Sequence, residues 1–123
     1  MAAKRKRSTI AEIERFALGL PETWVDTPWG DRVVKVGKKI FVFLSDDDSE
    51  RPGITVKLPE SREHALSYEG SLLPGYGLGK HGWVTVYLDG VPAGEHDVLL
   101  DFVEESYRTV ATKTLVKRLD AER

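Results

Sequence analysis

RVVKVGKKIFVFL, residues 32–44, decides the fold class. Two apolar segments, 32–36 and 39–44, flank Gly37 and Lys38. That is a two-residue loop with glycine first, as a type II′ hairpin turn requires. Pairing Val36 with Lys39 sets Val34 across from Phe41 and Val33 across from Val42. Residues 40–44 are apolar on both faces. This strand is therefore expected near the middle of a sheet, its second face covered by a helix, a loop or another subunit.

Toward the C-terminus, SDDDSERPG (45–53) reads as a solvated acidic loop closed by a Pro-Gly turn. ITVKL (54–58) alternates as a half-buried strand, and a short helix is expected at about 60–67 with Leu66 as its core residue. A glycine-rich loop, LPGYGLGKHG (73–82), leads into the strand WVTVYL (83–88), which Asp89-Gly90 ends. The last long helix is expected over about 95–112, burying Leu99, Phe102, Val103, Tyr107 and Val110, with a further helical turn or two at 115–119. Toward the N-terminus, Thr9 and Glu12 form a capping box. Ile10, Ile13, Phe16, Ala17 and Leu20 follow at helical spacing, stopped by Gly19 and Pro21. Residues 1–8 read as a flexible basic tail and 9–123 as one domain. The order helix, three or four strands, helix, one or two strands, helix argues an α+β fold, an antiparallel sheet packed on helices.

Composition narrows the function classes. The 123 residues include no cysteine, which excludes disulfides, thiolate metal sites and a cysteine nucleophile. No apolar run reaches the ~20 residues of a membrane span, and a soluble, cytoplasmic protein with no membrane association is expected. The net charge of −2 is uneven: residues 1–40 carry nine Lys/Arg against five Asp/Glu, and the remainder nine against fifteen. Anion-binding surface should therefore draw on the N-terminal third.

No chemistry-bearing motif emerges. His64, His81 and His96 form no HExxH-type pair, and Asp46, Asp47, Asp48 and Glu50 lack the spacing of a calcium loop. The glycines from Gly75 to Gly79 are one residue too close for a P-loop, and His81 stands where its hydroxyl belongs. Glu104 and Glu105 read as ordinary charges on a helix surface. No metal, cofactor or catalytic residue is expected. Trp24, Trp29 and Trp83 flank strands and read first as core; Trp29, before a glycine, and Trp83, after Lys80-His81-Gly82, also suit stacking on bases or a pocket.

Three segments carry a resemblance. PWG (28–30) with KVGKKIF (35–41), the run from Leu73 to Val84 containing GKHGWV, and EESYRTVATK (104–113) together resemble the MmcQ/YjbR family of small bacterial proteins. Thr112 stands where the family pattern has proline, so the last helix is expected to run on. The resemblance implies helices packed on one side of an antiparallel sheet, similar to secretion-chaperone-like domains. Members of that family are commonly described as DNA-binding, so the resemblance implies DNA binding, and it supplies no catalytic residue. Lys38, Lys39, Lys80, His81 and the tail Lys4, Arg5, Lys6 and Arg7 are the candidate contacts to duplex DNA. Two other readings stay open. One is a protein-interaction domain or self-association through the second face of strand 39–44, near Ile40 and Val42. The other is a small-ligand pocket built from Trp29, Tyr76 and Trp83.

Overall fold

The computed structural model describes residues 8–75 and 77–123, so the candidates Lys4, Arg5, Lys6, Arg7 and Tyr76 lie outside the described residues. Helix α1 (Ile10–Leu18) begins with the expected capping box. The Thr9 hydroxyl accepts from the Glu12 amide at 3.1 Å, and the Glu12 carboxylate accepts from the Thr9 amide at 2.9 Å. Two more amides of that first turn are met from afar. Asp47 accepts from Ile10 N at 2.7 Å and from Ala11 N at 3.2 Å. The acidic loop is thus not merely solvated; one of its carboxylates closes the positive end of a helix.

Five strands follow: β1 (Thr23–Asp26), β2 (Arg32–Val36), β3 (Lys39–Leu44), β4 (Gly53–Lys57) and β5 (Trp83–Tyr87). Each pairs antiparallel with the next, in the spatial order β1-β2-β3-β4-β5. β3 is therefore central, as its two-sided apolar character requires. Gly37 has φ +61° and Lys38 is not left-handed, the backbone that a glycine-first turn demands.

The hairpin register differs from the simple expectation. Val36 pairs with Lys39 and Lys35 with Ile40, but Val34 then pairs with Val42 and Val33 with Phe43. Phe41 is the extra residue of a β-bulge. The bulge turns Phe41 and Val42 to the same side, where both are fully buried. Val42 is therefore core, not exposed surface, and only Ile40 and Phe43 face the other way.

One face of the sheet carries the core. Val34, Val36, Phe41, Val42, Leu44, Ile54, Val56, Val84 and Val86 cluster there with Ile10, Ile13 and Ala17 of α1 and with Leu99, Phe102, Val103 and Tyr107 of α3 (Asp97–Val110). Helix α2 (Arg62–Leu66) adds Ala65, fully buried, whereas Leu66 is only partly so. With one turn to offer, the small side chain is the one that fits beneath its backbone. Val110, likewise expected in the core, is only partly buried at the end of α3.

Ser106 repairs the sheet where the bulge disturbs it. Its fully buried hydroxyl donates to Phe41 O at 2.5 Å and accepts from Lys57 N at 2.9 Å. The last helix does not run on past residue 110. Thr112 instead caps α4 (Lys113–Ala121), its hydroxyl accepting from Leu115 N at 3.3 Å. α4 docks through buried Leu119 and through ion pairs of Arg108 with Asp120 and of Arg123 with Glu104, both at 2.6 Å. The Arg123 guanidinium, helped by Arg108, holds the Glu104 carboxyl below its ordinary value.

Candidate nucleic-acid interface

In an up-and-down meander, odd strands start and even strands end at one end of the sheet. Lys39 starts β3, Lys57 ends β4, and Lys80-His81 lie in a 3₁₀ turn (Gly79–His81) that leads into β5. The topology therefore brings Lys38, Lys39, Lys57, Lys80 and His81 to one end. The turn is fastened there by Leu58 N, which donates to Gly82 O at 2.8 Å, and Gly82 needs its φ of +91° to present that carbonyl. Arg62 joins them, lining a shallow cleft with Lys80, Leu58 and Pro59. Lys38, Lys39, Arg62, Lys80 and His81 are exposed and Lys57 is half-buried. Among the described residues, none of Lys38, Lys39, Lys57, Arg62 or Lys80 has an ion-pair partner.

The acids of this end are partly committed. Glu22 pairs with Arg118 at 3.1 Å. Glu105 accepts from Glu60 N, Ser61 N and the Ser61 hydroxyl at 2.9, 3.1 and 2.5 Å. Glu104 and Glu105 are thus not idle surface charges: one anchors α4 and the other closes the start of α2. Glu60 and Glu63, beside Arg62 in the chain, and Asp101, which lines a hollow with Glu60 and Glu105, remain as acids near this end. The opposite end holds Asp26, Asp31, Asp46, Asp47, Asp48, Glu50 and Asp89. The cations there, Arg32 and Arg51, are taken up by Glu14 at 3.0 Å and Asp89 at 2.7 Å. The sheet is therefore polarised along its strands, a pattern that a net charge of −2 conceals.

The tryptophans do not behave alike. Trp83 is buried, its ring edge-on to Phe43 at 5.5 Å. Trp24, on edge strand β1, is 45% exposed. Trp29 sits in the β1–β2 turn, 76% exposed, which overturns its reading as core. A turn tip reaches beyond both layers, so no element lies over its indole. Trp29→Ala should change stability by no more than about 0.5 kcal/mol, as for other surface sites, and urea unfolding checks this.

Neither Trp29 nor Trp83 lines the hollow beside Phe43 on the face of the sheet turned away from α1 and α3. The concavity on the helix-free face, about 320 Å³, is instead lined by Phe43, Thr55, Leu78, Thr85 and Tyr87 with Arg51 at its rim. Thr55 and Thr85 share a hydrogen bond of 2.7 Å on its floor. The histidines are dispersed. His96 is buried, with Nδ1 accepting from Ser8 N at 2.8 Å. His64 lies 3.1 Å from the hydroxyl of Tyr68, whose phenol is pushed up to about 12 by burial and by Glu95. Among the described residues, no group of His, Asp and Glu is placed to hold a metal ion, and no helix is long and apolar enough to cross a membrane.

A five-stranded antiparallel meander with its long helices packed on one face defines a small α+β domain. Its relatives are recognisable in sequence. The YjbR family model matches residues 18–109, from the end of α1 to the end of α3. The uncharacterized protein YjbR of Escherichia coli K12 is 31% identical over 85 residues, 67% of this chain and 71% of the relative, and YjbR of strain O157:H7 matches to the same extent. The crystal structure of Deinococcus radiodurans protein DR2400, a DUF419 domain, covers 98% of this chain and 91% of its own with a TM-score of 0.70 and 28% identity. The chain belongs to the YjbR family.

Proposed function

We propose that this chain is a non-enzymatic binding domain that takes the phosphate backbone of DNA at the basic end of its sheet. The observation that carries the reading is the set Lys38, Lys39, Lys57, Arg62 and Lys80, drawn to one end by strand parity and left without ion-pair partners among the described residues. Unpaired, exposed cations on a turn and a hairpin tip can meet phosphates without first giving up a carboxylate. The acidic remainder limits the footprint and makes non-specific spreading unfavourable.

Each neutralised phosphate releases condensed counterion, which sets a log–log salt slope near −0.9 per contact on duplex DNA. Four to six contacts, with the tail Lys4 to Arg7 included, give a slope of about −4 to −5. The double change Lys38→Ala, Lys39→Ala should flatten the slope by about two units and leave the melting temperature unmoved. Salt-titrated fluorescence anisotropy on a labelled duplex measures the slopes, and thermal unfolding of the variant checks the melting temperature. Absence of binding at low salt sinks the reading.

A second reading draws on the helix-free concavity. Half-buried Phe43 and Tyr87 beside Leu78 offer apolar surface to a short segment of a partner protein or to a second copy of the chain. Phe43→Glu would then abolish partner capture or self-association while salt-dependent DNA binding persists.

A further inference from the structure

We infer that the nucleic acid taken at the basic end is an unpaired strand, with one base stacked on Trp24. This rests on the reading of that end as a phosphate site and adds the state of the strand. Trp24 is a large ring left 45% exposed on the helix-free face. It is held in place all the same: its indole Nε1 donates to Gly37 O at 2.8 Å, and Lys35 Nζ lies 5.2 Å from its ring centroid. Lys35 is in turn fixed by Asp26 at 2.7 Å. A ring that is both exposed and immobile loses little entropy when a base stacks on it.

The position of the ring matters as much as its exposure. Trp24 pairs with Lys35 and Lys35 with Ile40, so these residues cross the helix-free face as one row at the basic end. Lys57, paired with Trp83, continues the row toward β5. The carbonyl that holds the indole belongs to Gly37, the first residue of the turn that carries Lys38. The aromatic surface and the hairpin cations are thus joined through one hydrogen bond. At about 4.8 Å between strands, five strands span roughly 19 Å, room for about four nucleotides, the low end of the sites known on OB folds.

Duplex DNA fits this surface less well. Its bases are stacked inside the helix, where a side chain standing on a sheet face does not reach them. An unpaired strand can turn away after a few nucleotides and offers a π-face at each one.

The test uses the full chain with fluorescein-labelled dT12, a duplex of twelve base pairs, and heparin as a polyanion without bases. At equal salt, dT12 should bind more tightly than the duplex and quench tryptophan fluorescence, which heparin should not. Trp24→Ala should weaken dT12 roughly tenfold or more, leave duplex and heparin binding within about twofold, and remove the quenching. Trp24→Phe, which keeps a ring, should recover part of the dT12 affinity and guards against a fold lost in the alanine variant. Unchanged dT12 binding in folded Trp24→Ala would overturn the stacking inference and leave the phosphate reading standing. Failure of all three probes to bind at low salt would remove both.

Discussion

Tyr107→Ala is expected to destabilise the domain by about 3–5 kcal/mol, the usual cost of removing a buried large aromatic. Tyr107 is among the largest fully buried side chains and meets the Phe41 ring edge-on, centroids 5.4 Å apart and planes at 82°. Phe41 is the bulged residue, so the tyrosine fills the space that the bulge opens beneath the centre of the sheet. Its hydroxyl also donates to Pro21 O at 2.9 Å, tying α3 to the chain between α1 and β1. The two contributions separate experimentally. Tyr107→Phe keeps the ring and loses only the hydrogen bond, for an expected cost of about 1 kcal/mol. Urea unfolding of both variants checks the ratio. Equal losses would mean that the bond to Pro21, and not packing against Phe41, is what matters.

Ser106→Ala should cost about 2–4 kcal/mol, far more than deletion of a hydroxyl usually does. The serine serves two backbone groups at once, Phe41 O and Lys57 N, at a place where the bulge has interrupted the ladder between strands. Removing its oxygen leaves a donor and an acceptor with no partner, each worth roughly 1–3 kcal/mol when buried. Thr109→Ala is the fitting control, because the Thr109 hydroxyl only returns to Glu105 O within its own helix at 2.8 Å. Chemical denaturation of the two variants decides the matter. A Ser106→Ala loss below about 0.5 kcal/mol would show that the bulge accommodates the missing hydroxyl without strain.

The hairpin at the centre of the fold could be read from residues 32–44 because glycine before lysine at the turn and the apolar runs on either side agree. The bulge within it could not. Phe41 and Val42 are both apolar, so alternation gives no sign of which residue is extra. β1 escaped notice because it has only four residues and follows Glu22, which turns the chain at φ +59°. The carboxylates of Asp47 and Glu105 looked like surface charges because the amides they serve are 36 to 45 residues away in the chain. Residue type alone misplaces Trp29, since ring size argues for burial and only the position at a turn tip argues against it.

The basic end was half visible. Lys38, Lys39, Lys80 and His81 stood out beside glycines, but Lys57 and Arg62 did not, being ordinary residues at a strand end and a helix start. Strand parity would have found them. Once each strand is taken to pair with the next, the ends of even strands must lie beside the starts of odd ones.

The two long-range carboxylates also bear on the order of assembly. α2 has five residues and α1 nine, both too short to persist alone in water. Glu105 reaches the start of α2 only when α3 lies across the sheet, and Asp47 reaches α1 only when the β3–β4 connection is in place. Neither cap helps a helix that forms early in an otherwise open chain. Helix formation at both sites is therefore coupled to closure of loops dozens of residues long, which favours a cooperative, comparatively slow folding reaction over one seeded by local helices.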